Sequence, residues 1–156
     1  MPPPQAWEAL KAGNGCPFDG ERSESNEHWD KIATLAVSTL YLHRIQTYRG
    51  YCVLVFDPRH VTSLGELSEP ERNAFISDVC RAQEGMQRVL QPDHFNVECL
   101  GNQVPHLHWH IVPRYKDDGR WGFPIWTTTE AELIRTELAP TERAALIGDL
   151  KRALAA

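Results

Sequence analysis

Three of the seven histidines in this 156-residue chain stand at every second position: His106, His108 and His110, within NQVPHLHWHIVPRY (residues 102–115). Strand side chains alternate with a period of two, so this spacing predicts one strand with all three imidazoles on one face. Leu107, Trp109 and Ile111 then fall on the other. Three readings compete for such a row. A solvated row needs no function, but strict alternation against three apolar residues argues against it. A zinc centre can begin from an H-x-H pair. Successive same-face positions lie roughly 6–7 Å apart, however, so His106 and His110 stand about 13 Å apart and cannot share one ion. The third reading is phosphoryl or nucleotidyl transfer. A neutral imidazole attacks phosphorus with one nitrogen while an acceptor, commonly a backbone carbonyl, holds its other N–H. Its neighbours donate to phosphate oxygens or protonate the leaving group. Only this reading uses all three residues.

The elements that must carry the row are predicted by patterning. HFNVECLG (94–101) and HLHWHIVPRY (106–115) read as two strands joined by an NQVP turn. VSTLYLHR (37–44) and GYCVLVF (50–56) read as an antiparallel hairpin with Gly50 near its turn, followed by the loop DPRHVTSLGEL. Between the strand pairs, SEPE is a capping box on Ser68 and Glu71, with Pro70 in the first turn of a long helix. Phe75, Val79, Ala82, Met86 and Val89 form its buried stripe. NEHWDKIATLA predicts a short helix through Trp29, Ile32, Ala33 and Ala36, and residues 1–25 predict an irregular arm. Residues 129–156 predict a helical tail with Leu146, Leu150 and Leu154 inward. Together these elements predict one domain over 1–156, of α+β class, with a mostly antiparallel sheet, one long helix and a carboxy-terminal helix.

Composition narrows the function classes. Hydrophobic residues make up 42% and charged residues 24%, which suits a folded domain. A net charge of -5 gives no positive field to hold a nucleic-acid polymer or an anionic membrane. A small phosphate ligand needs only local donors. There is no apolar run of membrane-spanning length, and MPPPQAWEALKAGNG lacks the regions of a secretory signal. The four cysteines, Cys16, Cys52, Cys80 and Cys99, are widely spaced, and a cytoplasmic protein with free thiols is expected.

HLHWHIV fits an H-φ-H-φ-H-φ-φ signature, and from about Cys16 to Trp126 the chain resembles the histidine triad (HIT) superfamily of nucleotide hydrolases and transferases. RIQTYRGYCVLVFDPRHVTSLGELS is similar to that family's first hairpin and loop, and FNVECLGNQVPHLHWHIVPRYKDDGRWGFPIW to the catalytic half of a bacterial subgroup. The resemblance implies a HIT-like fold with His108 as nucleophile, passing through a nucleotidyl-histidine intermediate. It implies phosphate or leaving-group roles for His106 and His110, in a division the sequence leaves open. Asn96 matches the family's substrate-contacting asparagine, and Gln103 a polar side chain near the phosphate. Arg114 and Lys116 follow the triad, where they can meet outer phosphates.

Many members of the family begin with a zinc-binding C-x-x-C. Here the stretch is CPFD, with Asp19 in the second position and His60 where a further ligand often comes. Loss of a soft thiolate weakens such a site. Structural zinc is therefore not expected, no cofactor is expected for catalysis, and Mg²⁺ enters only as a counter-ion of a polyphosphate substrate. Intact His110 separates the chain from the transferase branch, which usually has glutamine there. The triad followed by PR looks most like dinucleoside polyphosphate hydrolases acting at the α-phosphate. A nucleoside phosphoramidate hydrolase and a nucleotide-binding protein with little turnover stay open as alternatives. Family resemblance, open sheet edges and a second apolar stripe on the long helix (Ile76, Cys80) together predict a homodimer.

Overall fold

A computed structural model of the chain describes residues 2–129 and 136–155. Five antiparallel strands form one sheet: β1 (Trp29–Thr34), β2 (Ser38–His43), β3 (Cys52–Phe56), β4 (His94–Glu98) and β5 (His108–Arg114). Their order is β1-β2-β3-β5-β4, so the predicted hairpin and the triad strand lie side by side in the middle. Helices α1 (Pro4–Lys11), α2 (Glu69–Leu90) and α3 (Pro140–Ala155) complete the α+β architecture. The predicted class and sheet are as observed.

One sheet face is apolar throughout. Leu40, Leu42, Leu54, Phe56, Leu107 and Ile111 pack there against Phe75, Val79, Ala82 and Met86 of α2. Leu146, Leu150 and Leu154 of α3 close the same core. At the helix crossing a Cβ on Gly85 would lie 2.8 Å from the end of the Leu154 side chain, which would have to shift to admit it. The α2 cap forms as its sequence predicts: the Glu71 carboxylate accepts from the Ser68 N–H at 2.8 Å and its hydroxyl at 2.9 Å.

Asp78 ties α2 to the strands. Its buried carboxylate accepts from the amides of Ala36 (3.1 Å) and Val37 (2.9 Å) and from the Ser38 hydroxyl (2.6 Å). Removing a buried acceptor strands its donors at about 1–3 kcal/mol. Asp78→Ala should therefore lower unfolding free energy by about 2–3 kcal/mol. Denaturant titration checks this, and a loss below about 0.5 kcal/mol, the scale of an ordinary surface change, would contradict the anchoring role.

Three expectations are corrected. NEHWDKIATLA is strand β1, not a helix. It pairs with β2 from Trp29↔His43 to Thr34↔Thr39, with a bulge between Lys31 and Ala33 that turns Ile32 into the core. A short helical stripe is marginal alone, and strand pairing overrides it. The arm is not irregular throughout, because Pro4–Lys11 is helical; a proline at a helix start loses no hydrogen bond. Finally, β5 begins at His108. Leu107 bonds instead to the Val61 carbonyl through its N–H (2.7 Å) and to the Phe56 N–H through its carbonyl (3.1 Å). Of the predicted helical tail, residues 130–135 lie outside the described residues, and the helix begins at Pro140.

Candidate active site

The sheet face turned away from the helices carries the histidines. Register sets His108 against Val55 and His110 against Val53 on β3, and Glu98 against His110 on β4. His106, just before the strand, keeps the same side and is only 2% exposed; His108 is 6% exposed. A solvated row is thereby excluded. Phe18, brought in by the amino-terminal segment, meets the ring edges of His106 and His108 at 5.8 and 5.1 Å. Trp126 approaches His110 at 5.0 Å from the other end.

The hydrogen bonds fix what each ring can do. The His106 carbonyl lies 2.6 Å from His108 Nδ1. A carbonyl only accepts, so Nδ1 carries the proton and the lone pair falls on Nε2. That nitrogen lies 3.2 Å from His110 Nε2, while His110 Nδ1 meets the Tyr51 hydroxyl at 2.7 Å. His106 is turned elsewhere: its Nε2 donates to the Phe56 carbonyl at 2.7 Å.

Burial holds all three imidazoles below their ordinary proton affinity. His110 falls to about 3, through burial first and then the neighbouring His108 and His43. A proton on His108 would remove the lone pair, and burial opposes that proton. Activity should thus stay level as pH drops through about 6.5, the ordinary imidazole value, and decline only below it. The acid limb of kcat/KM measures this; a limb at or above about 6.5 would contradict it.

Below the triad, Cys16, Asp19, His60 and His106 bring one ligand atom each within 4.8 Å of one another. Sequence reading left three donors there; the fold adds His106. Asp19 lies 3.0 Å from Nδ1 of both His60 and His106, and Cys16 Sγ lies 3.7 Å from His106 Nδ1. Both rings already use their Nε2–H, His60 toward the Lys11 carbonyl at 3.1 Å and His106 toward Phe56. Two bare nitrogens therefore face a carboxylate and a sulfur, an arrangement that repels unless protons or a cation lie between. Burial works against a proton on His106. The N₂OS donor set suits a tetrahedral divalent ion of zinc type.

Other expected site residues fall at different distances from the triad. Asn96 shares the triad face, and its side-chain oxygen accepts from Arg114 at 2.5 Å. Arg114 is buried, with its remaining donors on Asp118 and on the Arg120 and Phe123 carbonyls. All five N–H groups are thus engaged; the residue holds the loop that carries Trp126 and has no donor left for an outer phosphate. Lys116 pairs with Asp93 at 2.9 Å. Gln103 is exposed in the turn before the triad, and among the described residues no hydrogen bond joins it to a histidine. Sequence reasoning missed Phe18, Tyr51 and Trp126. Tyr51 had a signal: it precedes Val53 and Val55 at even spacing, which puts it on the triad's face.

A histidine row at the start of a central antiparallel strand, with the middle ring held by a backbone carbonyl so that its Nε2 keeps the lone pair, defines a class of site built around a neutral imidazole. Residues 31–117, over half the chain, match the HIT domain model, and the chain belongs to the HIT family. It is 30% identical over 95 residues to the asymmetrical bis(5'-nucleosyl)-tetraphosphatase of Schizosaccharomyces pombe, covering 58% of this chain and 47% of that protein. It is 32% identical over 71 residues to an uncharacterized HIT-like protein of Methanocaldococcus jannaschii, covering 42% and 54%. The chain thus spans about half the length of these curated relatives. Among solved structures it is similar to a histidine triad protein from Bradyrhizobium japonicum (TM-score 0.75, 24% identity, 86% of this chain and 97% of that one). It is also similar to a zinc-bound histidine triad family protein from Mycobacterium smegmatis (0.56, 18%, 96% and 92%). At these identities the structural likenesses bear on the fold. Among the described residues no helix is long and apolar enough to cross a membrane.

Proposed function

We propose that the chain is a nucleotide hydrolase that cleaves dinucleoside polyphosphates at the α-phosphate through a nucleotidyl-His108 intermediate. The observation that carries this is the 2.6 Å contact from His108 Nδ1 to the His106 carbonyl, which leaves Nε2 unprotonated on the substrate face. In the first step Nε2 attacks the α-phosphorus and the bridging P–O bond breaks, its electron pair leaving with the nucleoside polyphosphate, which takes a proton from solvent. Water then attacks the same phosphorus and gives up a proton to solvent, the P–N bond breaks with its electron pair returning to Nε2, and a nucleoside monophosphate leaves. His110, beside the reacting nitrogen, assists the phosphate or leaving group. His106 acts through its carbonyl, and its ring faces the four-residue cluster. Asn96 and Gln103 remain candidates for substrate contact.

The S. pombe relative favours a polyphosphate substrate. The same nucleophile serves a phosphoramidate, so diadenosine tetraphosphate and adenosine phosphoramidate should be compared with product analysis. Faster release of nucleoside monophosphate from the former supports the reading. Preference for the latter selects the phosphoramidase, and binding without turnover would overturn both.

No metal is required in these steps, and Mg²⁺ enters only as a counter-ion of a polyphosphate substrate. Cys16, Asp19, His60 and His106 would hold a structural zinc-type ion, whose contribution is to cross-link the amino-terminal segment, the 57–63 loop and the start of the triad. The chain is further read as a homodimer. Ile76 on α2 is 44% exposed, Cys80 beside it is exposed, and β4 is an open sheet edge. Sedimentation at micromolar concentration should give a species near twice 17.7 kDa; one at that mass would contradict pairing.

A further inference from the structure

We propose that the Tyr51 hydroxyl fixes His110 as its Nε2–H tautomer, and so presents a hydrogen-bond donor beside the nucleophilic nitrogen of His108. The inference rests on the hydrolytic reading for its kinetic consequence, but the tautomer itself follows from geometry. His108 Nε2 carries a lone pair, because Nδ1–H is given to the His106 carbonyl. His110 Nε2 lies 3.2 Å from that lone pair. If His110 carried its proton on Nδ1, two lone pairs would face each other across this gap. With the proton on Nε2, a donor meets an acceptor, and Nδ1 is left to accept from Tyr51 at 2.7 Å. Burial raises the phenol's proton affinity, so the hydroxyl stays protonated and can donate. Substrate phosphorus arriving at His108 Nε2 then frees the adjacent His110 N–H for a phosphate oxygen.

The surroundings hold Tyr51 to this task. Its ring stacks on His43 with centroids 4.7 Å apart and planes 18° from parallel. Its N–H donates to the Tyr48 carbonyl at 3.0 Å, and its carbonyl accepts from His43 N–H (3.0 Å) and the Gln46 side chain (3.1 Å). Gly50 turns the chain just before it at φ +87°, where a Cβ would collide with Leu90 at 2.3 Å. Glu98 lies half-buried opposite His110 on β4, and burial raises its proton affinity. Tyr51 touches neither the substrate nor its reacting atoms in this scheme; it is a positioning residue.

Long-range ¹H–¹⁵N correlation on the intact protein reads each imidazole nitrogen without any substrate. The expected spectrum has His110 Nε2 protonated and Nδ1 an unprotonated acceptor. Tyr51→Phe keeps the ring on His43 and removes only the O–H. In that variant the His110 signals should move toward a tautomer mixture. kcat on the best substrate should fall by about tenfold, the worth of roughly one hydrogen bond, with KM nearly unchanged. A wild-type His110 protonated on Nδ1 would overturn the proposal. So would a Tyr51→Phe protein with unaltered tautomer and unaltered kcat. If no substrate is turned over, the hydrolytic reading fails by itself, and the spectra still decide the tautomer.

Discussion

His108→Ala is expected to reduce kcat by at least about 10²–10⁴-fold on every substrate the wild-type chain cleaves, since even general acid–base assistance alone supplies that much. Losing the nucleophile removes the covalent route altogether. The fold should survive, because His108 lies on the face away from the α2–α3 core, among Phe18, Val55 and His110. Steady-state rates on diadenosine tetraphosphate and adenosine phosphoramidate, with circular dichroism as a control, check both parts. Near-normal turnover by a folded variant would contradict the mechanism.

The second large effect concerns metal removal. If Cys16, Asp19, His60 and His106 hold a divalent ion, purified protein should contain one zinc-type ion per chain. An ion held at a thousand times its dissociation constant stabilises the native state by about 4 kcal/mol. Thorough chelation should then lower Tm by about 8–16 °C for a domain of this size. The chemistry at His108 involves no metal, so residual activity on a phosphoramidate at low temperature should persist. Absence of metal together with an unchanged Tm would remove the structural-ion proposal. Loss of all activity in a still-folded, metal-free protein, restored by zinc, would instead make the ion catalytic.

The triad face was legible because a strand's period of two speaks through residue types as distinct as His against Leu, Trp and Ile. The α2 helix was legible too, through Ser68, Glu71 and the stripe from Phe75 to Met86, which are local signals. β1 was not. Trp29, Ile32 and Ala33 mimic a helical stripe, and only pairing with β2, plus a bulge at Ile32, makes them a strand. The role of the amino-terminal segment was hidden for a similar reason. Cys16 and Phe18 reach the triad through contacts some ninety residues away in sequence, and no periodicity encodes that. His106 shows the same limit. Its spacing announced a third triad member, yet its ring turns to Asp19 and Phe56 while its carbonyl serves His108. Arg114 looked available as a charged residue after the triad, and burial among Asn96, Asp118 and two carbonyls engages every donor it has.

The central claim is covalent catalysis at His108, and one experiment meets it directly. Protein at stoichiometric excess over diadenosine tetraphosphate is quenched during the first turnover and digested, and the peptides are weighed. The account predicts an acid-labile adenylyl adduct on the peptide carrying residues 106–114, assigned by fragmentation to His108, appearing and decaying at rates that support kcat. Turnover with no adduct at His108 at any time, or with the adduct on another residue, would contradict it.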